Sequence, residues 1–199
     1  MAELLTDDLA VWDTSPRGGY ATLLAVDNVA DDHELTRGVA LARRFPSNAT
    51  FRMNPKYPRD KKLADAIHSA SGVGVPVVSA KLRQAIEAFT PPDVEFLPVT
   101  ILDHKGGVAS DKYFICNPTR VVDCIDQQAS RIAWNPIDPT LIADVVGLVL
   151  DPARLDPDAG VFRPRFLPTR VLLRGDVAAA LRSGGFSGLK LVSPADVGR

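Results

Sequence analysis

The sequence predicts an α+β fold in which a central, mainly antiparallel sheet is flanked by helices. Short apolar segments separated by Gly and Pro turns are typical of strands, and hydrophobic residues make up 46% of the 199 residues, enough to build one core. The third observation is an internal repeat. Residues 76–97 (PVVSAKLRQAIEAFTPPDVEFL) and 171–192 (VLLRGDVAAALRSGGFSGLKLV) superpose without a gap at an offset of 95 positions.

The first 60 residues are the least regular part of the chain. We therefore divide one compact domain into an irregular N-terminal subregion, 1–60, and a core, 61–199. A glycine turn leads into an apolar segment at 18–26, which predicts a strand. Residues 31–45 fit a short helix or a helix followed by a strand, and TFRM at 50–53 predicts a further strand.

The core opens with a predicted helix over 61–70 (KKLADAIHSA). Its apolar side chains recur at helical spacing, and the helix is expected to end before Gly72 and Gly74, because glycine favours helix termination.

The first repeat then predicts a strand, a helix and a strand. VPVVS at 75–79 is a short apolar strand, and the Ser79 hydroxyl can cap the following helix. The prolines of TPP at 90–92 end that helix, and VEFLPVTIL at 94–102 alternates as a strand. The helix presents one apolar stripe, formed by Leu82, Ala85, Ile86 and Phe89.

The strand at 94–102 is followed by two more apolar segments, 112–117 and 120–126, joined by short turns. Three strands with short connections predict an antiparallel meander.

The next segments are less regular. SRIAWN at 130–135 predicts a strand, whereas 139–151 fits either a pair of strands or a short helix. The segment 159–166 predicts an edge strand, because it is interrupted by proline.

The second repeat closes the chain with a strand at 170–174, a helix at 175–184 and a strand at 188–194. Such units resemble one another through their periodicity alone, but a gapless match over about twenty residues favours two similarly built halves. Each one-sided helix needs a sheet to cover.

Charge is balanced overall but not along the chain. The net charge is −1, which argues against a protein that binds nucleic acid directly through a basic field. Residues 121–160 hold seven acidic and two basic side chains, and 161–199 hold seven basic and two acidic ones. The acids and bases can pair across the fold, or the first stretch can form an acidic face for a basic partner.

The sequence predicts a cytoplasmic chain with no membrane contact. The N-terminus has no signal-peptide pattern, and no apolar run reaches transmembrane length. Cys116 and Cys124 flank a predicted turn and are expected to be reduced and buried, because nothing in the sequence is typical of a secreted disulfide scaffold.

No set of residues predicts catalysis. The sequence has no zinc-binding spacing, phosphate-binding loop or nucleophile elbow, so we expect no catalytic residue, metal or cofactor. Asp123 and Asp126 are three positions apart and would point to opposite faces of a strand, which favours a structural role or partner contact. Trp134 fits a core position or, if it is exposed, an interface anchor.

Several short motifs follow one another in a recognisable order. They are VVS before a helix, Asp123 with Asp126 and Ser130, the pair Phe162–Arg163, and Gly185 with Gly188 and Leu189. In this order they resemble the myxobacterial-type immunity proteins of bacterial polymorphic toxin systems, the eleventh numbered immunity family and formerly a domain of unknown function. The resemblance covers roughly residues 60–199, and Arg174 stands where that family usually has a serine cap.

The resemblance implies a protein without enzymatic activity. Such proteins bind and block a secreted or contact-delivered toxin, often an HNH-like nuclease, in interbacterial competition of the type VI secretion kind. A basic nuclease face would suit the acidic stretch. The candidate partner-binding residues are Asp123, Asp126, Trp134, Asp151, Asp156 and Asp158.

Two alternatives stay open from the residues alone. One is a small enzyme acting on an unknown ligand, and the other is a structural subunit of a secretion assembly. The sequence also leaves monomer and homodimer open.

Overall fold

A computed structural model describes residues 9–16, 18–69, 75–89 and 93–198. Within these residues the chain forms two α-helices, α1 (Ala80–Glu87) and α2 (Gly175–Ser183), and thirteen strands. The strands are β1 (Ala10–Trp12), β2 (Leu23–Asp27), β3 (Thr50–Met53), β4 (Ala66–Ile67), β5 (Val77–Ser79), β6 (Val94–Leu102), β7 (Val108–Pro118), β8 (Val121–Val122), β9 (Arg131–Trp134), β10 (Ile142–Val146), β11 (Val161–Pro164), β12 (Leu172–Leu173) and β13 (Leu191–Val192). Short 3₁₀ helices cover Asp32–Thr36, Pro152–Arg154 and Pro194–Asp196.

The α+β class is confirmed, and the described strands divide into two larger sheets and a hairpin. The first sheet has the order β2-β3-β6-β7-β5-β4, and the second has the order β13-β1-β12-β11-β8. Strands β9 and β10 form the separate hairpin. Pairing is antiparallel except between β3 and β6 and between β8 and β11.

The two repeats are two copies of one split unit. In the first, β7 lies between β5 and β6 and runs antiparallel to both. In the second, β1 takes the same place between β12 and β13. Each unit therefore needs a middle strand from another part of the chain, and that of the second unit comes from residues 10–12.

The two helices begin where the repeats predict, and α2 also ends where predicted. Leu82 and Ile86 on α1, and Val177 and Leu181 on α2, are all essentially inaccessible to solvent. They pack with the inner faces of both sheets in one shared core, whereas the outer face of each sheet has a core of its own. The predicted stop of α1 at 90–92 lies outside the described residues.

The predicted helix over 61–70 is wrong, since the described residues 61–69 of this segment contain no helix and include β4. Its backbone bonds to distant partners instead of to itself: Ala66 N–H donates to the Ser187 carbonyl at 3.0 Å, and the Asp65 carbonyl accepts from Ser79 N–H at 2.8 Å. Pairing with β5 outweighs the local helical spacing. The expected stop at Gly72 and Gly74 lies outside the described part of the chain.

The predicted three-stranded meander is only half correct. Strands β6 and β7 form the expected hairpin, but β8 leaves that sheet and pairs in parallel with β11. Strand β11 is an inner strand and not the predicted edge, because its proline does not interrupt the pairing. Arg163 and Arg165 donate their N–H groups to β8 and its flank at 2.9 Å, so the missing N–H of Pro164 falls between them.

Candidate functional site

The motif residues of the resemblance hold the fold together. Ser79 caps α1, since its hydroxyl oxygen accepts from Leu82 N–H at 3.2 Å and its hydroxyl donates to Asp65 at 2.8 Å. The same Asp65 carboxylate accepts from the N–H and the hydroxyl of Ser187, at 2.9 and 2.8 Å. The start of α1 is thus tied to the loop that follows α2.

Burial opposes ionisation of Asp65, but the hydrogen bonds from Ser187 and Ser79 outweigh it and lower the pKa of the carboxyl group. Gly188 lies at the same junction with φ of +75°, and a Cβ there would come within 2.1 Å of the Ala66 carbonyl oxygen. This close approach explains why a glycine stands in the loop.

Arg163 is buried completely and donates to three backbone carbonyl groups. They belong to Pro118 at the end of β7, Leu35 in the first 3₁₀ helix and Pro168, at distances of 3.1, 2.8 and 2.6 Å. Burial lowers the pKa of Arg163 to about 10. The guanidinium group joins segments from both halves of the chain, a structural role.

Asp126 and Ser130 fix a turn rather than a strand. The Asp126 carboxylate accepts from the N–H groups of Gln128 and Ala129 at 2.9 and 3.0 Å. The Ser130 hydroxyl bonds both the N–H and the carbonyl of Val149, at 2.9 and 3.2 Å. Strand β8 ends at Val122, so Asp123 and Asp126 do not take the opposite faces of a strand that their spacing predicts.

Two of the predicted partner-binding residues, Asp126 and Asp151, line one shallow depression of about 400 Å³. We call it the acidic depression, and its lining residues are Ile125, Asp126, Gln127, Gln128, Asp151 and Arg154. Arg154 pairs with Asp151 at 3.2 Å and with Asp123 at 3.7 Å. Two of the predicted carboxylates therefore pair with a single arginine, and Asp126 lines the same depression.

A chain of side-chain contacts leads from the acidic depression to Trp134. Asp123 lies 3.8 Å from Arg165, whose guanidinium group sits 5.6 Å from the centre of the Phe166 ring. Phe166 meets Trp134 edge to face at 6.0 Å between ring centres. Trp134 is 42% exposed, so it presents part of its indole ring to solvent at the end of this path.

Asp156 and Asp158 form a separate group. Asp156 pairs with Arg120, which also pairs with Asp93 at 2.6 Å. A hydrogen bond from the Asp158 N–H and the pairing with Arg120 lower the pKa of Asp156. Asp158 is exposed, and Arg174 from the basic stretch lies within its electrostatic reach. The acidic stretch 121–160 and the basic stretch 161–199 therefore approach each other in the fold, Asp158 near Arg174 and Asp123 near Arg165.

The groups that could perform chemistry are few. Burial raises the pKa of both Cys116 and Cys124 to about 12, so these free, buried thiols are neutral and poor nucleophiles. Within residues 9–16, 18–69, 75–89 and 93–198, histidine, cysteine and carboxylate side chains form no group that could hold a metal ion. In the same residues, neither helix is long and apolar enough to cross a membrane.

One prominent surface feature has no counterpart among the predicted residues. Ile137, in the loop between β9 and β10, is 92% exposed. Val149 beside the acidic depression is 39% exposed. The signal for the loop is present in its sequence, NPIDPT, where each of Asn135 and Asp138 precedes a proline and can fix a tight turn.

Comparison with known proteins gives one clear finding. A search of curated proteins returns no match. A family model described as the immunity protein family Imm11 matches residues 8–196. This range includes all thirteen strands and both helices described above. The chain therefore belongs to the Imm11 immunity protein family.

Proposed function

We propose that this protein binds one cognate toxin and neutralises it by covering the toxin's active site. The match to the immunity family over residues 8–196 carries the proposal. The binding surface is the acidic depression together with Asp123 and Trp134, which we call the docking surface. Asp156 and Asp158 would then contribute a second acidic position outside it.

The chemistry of the docking surface supports a basic partner. Its carboxylates lie close together, and Arg154 and the neighbouring Arg165 make long ion pairs with Asp123, at 3.7 and 3.8 Å, while the exposed Arg154 also pairs with Asp151 at 3.2 Å. Exposed ion pairs of this length contribute little, typically below about 1 kcal/mol. The arginines can therefore turn aside at small cost when a cationic partner approaches the carboxylates.

The expected toxin is a nuclease. A nuclease binds a polyanionic substrate and needs a basic active face. An acidic protein surface competes for such a face by electrostatic complementarity, which mainly accelerates association and selects the partner. Because the toxin would act in the producing cell, the site of action is the cytoplasm.

The exposed part of Trp134 suits the centre of an interface. Aromatic side chains carry much of the binding energy where they enter a desolvated pocket. Its contact with Phe166 holds the ring in place, so little side-chain freedom is lost when a partner covers it. Occlusion needs only such contacts and no catalytic group.

The test removes charge without removing the turn. In the triple variant D123N/D126N/D151N, the amide oxygens can still cap the backbone N–H groups that the carboxylates of Asp126 and Asp151 cap. The matched control is Asp103→Asn, because Asp103 caps the β6–β7 turn in the same manner, away from the docking surface.

Association with the purified toxin domain encoded beside this protein should be measured by stopped flow, and inhibition by the residual toxin activity. We expect the triple variant to associate about tenfold more slowly at low salt, with the difference shrinking at high salt. Equal rates for the triple variant and the control would rule out the docking surface. A wild-type protein that neither binds nor inhibits the toxin would rule out the proposed function.

A further inference from the structure

The loop between β9 and β10, residues 135–141, presents an isoleucine to solvent. Ile137 is 92% exposed, compared with 69% for Val108 on the β6–β7 hairpin. Single apolar side chains are common on protein surfaces, so exposure alone carries no argument. The construction of the loop around Ile137 is what distinguishes it.

Hydrogen bonds fix this loop from end to end. The Asn135 side-chain oxygen accepts from the N–H groups of Ile137 and Asp138 at 2.8 and 3.1 Å. The Asp138 carboxylate accepts from the N–H and the hydroxyl of Thr140, at 3.1 and 2.5 Å. Asn135 and Leu141 close the loop through a backbone bond of 2.9 Å. Two prolines, at 136 and 139, restrict the backbone further.

The base of the hairpin is anchored in the protein. Ile142 and Val145 on β10 are buried in the outer core of the second sheet. The Ile142 N–H donates to the Phe166 carbonyl at 2.7 Å, and the Phe166 ring contacts Trp134. The loop is therefore held in one position relative to the docking surface.

A rigid loop with an apolar centre and a polar rim has the anatomy of an interface anchor. Binding does not have to order the loop, which removes a usual penalty on association. The surroundings are polar, with Asn135, Asp138 and Thr140 next to the apolar side chain. The hydroxyl and N–H of Thr140, followed by the charge of Arg37, lower the pKa of Asp138, so this rim is anionic at neutral pH.

We propose that Ile137 is the principal apolar anchor of the interface and inserts into an apolar pocket of the toxin whose rim carries a cation opposite Asp138. This inference rests on the proposed function and names residues outside the docking surface. Trp134 ends β9 and pairs with Ile142 across this same hairpin, so the loop is continuous with the docking surface, and the charge of Asp138 favours the same basic partner over a second copy of this chain.

The test compares Ile137→Ala and Ile137→Asp with Val108→Asp, a matched control on the other exposed hairpin. Affinity for the catalytically inactivated toxin domain encoded beside this protein should be measured by titration calorimetry, and dissociation by surface binding. We expect about 10- to 30-fold weaker binding for the alanine variant and more than about 100-fold for the aspartate variant, mainly through faster dissociation. Val108→Asp should change affinity less than about twofold.

The outcomes separate this inference from the proposed function. Wild-type binding that is unaffected by Ile137→Asp overturns the anchor while the proposed function stands. Absence of wild-type binding overturns both. A toxin-free dimer that becomes a monomer in Ile137→Asp would show that a second copy occupies the loop, which also overturns the proposal. An unchanged urea midpoint for each variant establishes that folding is intact.

Discussion

Arg163 offers the most direct test of how the two halves of this immunity protein are joined. Replacing it by methionine keeps most of the side-chain volume but removes the three donors that reach Leu35, Pro118 and Pro168. Lysine would not restore them, because its donors all lie on one nitrogen, whereas the guanidinium group directs separate N–H groups to separate carbonyls.

The expected loss follows from two opposing quantities. A buried carbonyl left without a donor costs about 1–3 kcal/mol, so three of them cost about 3–9 kcal/mol. Against this, the buried charge disappears. The pKa of Arg163 falls from 12.5 to about 10, which corresponds to about 3 kcal/mol of unfavourable burial relieved in the variant. The middle of the first range, less the relief of the buried charge, gives a net destabilisation of about 3 kcal/mol for Arg163→Met. This corresponds to about 7 °C in Tm for a chain of this length.

Urea unfolding followed by circular dichroism measures this difference. Arg165→Met is the matched control, because the Arg165 side chain is 64% exposed and its contacts, with Asp123 at 3.8 Å and with the Phe166 ring, lie near the surface. We expect the control to change stability by less than about 0.5 kcal/mol. If Arg163→Met were as stable as the control, the three hydrogen bonds would contribute nothing and the reasoning would fail.

Two further predictions concern the junction between the repeats. Gly188→Ala should lower stability by about 2–5 kcal/mol, because it adds both a left-handed backbone penalty and a clash with a carbonyl group. Gly185→Ala should lower stability by only about 1–2 kcal/mol, since a Cβ there meets open space among the described residues. The urea midpoints of the two variants measure this difference. Asp65→Asn should lower stability at neutral pH, and its deficit relative to wild type should shrink as the pH falls below about 4. A carboxyl group whose pKa is lowered in the folded state stabilises the fold at pH values above its unfolded pKa of 3.8, and it loses that effect as it is protonated. A deficit that grows in acid would contradict this sign.

The parts of the fold that the sequence predicts correctly are governed by local interactions. The helix α1 follows Ser79, whose cap lies within one turn, and its buried side chains repeat at helical spacing. On α2, which lacks a side-chain cap, the buried Val177 and Leu181 also repeat at helical spacing, and β6 and β7 are neighbours in sequence that pair as a hairpin. The segment 61–70 has equally regular spacing but contains β4, because its bonding partners are not local. One is β5, and the other is the Ser187 carbonyl, more than a hundred residues away.

The candidate docking residues show the same division. Asp126 and Asp151 are visible as acids in the sequence, and their gathering in one depression depends on the turn fixed by Ser130. The arginines that approach Asp123 come from different positions in the chain, so their pairing is a result of the fold. Ile137 lies between two readable turn signals, but no local pattern shows that the fold leaves its side chain in solvent.

The borrowed strand β1 also sets the order in which this protein can be completed during synthesis. Residues 10–12 are synthesised before their partners on β12, which follow about 160 residues later, on the order of ten seconds of translation. The first sheet, made from residues 23–118, is available long before the second can close. A nascent chain therefore carries an unpaired β1 until β12 and β13 emerge, and pulsed proteolysis of stalled chains should find β1 cleavable until then.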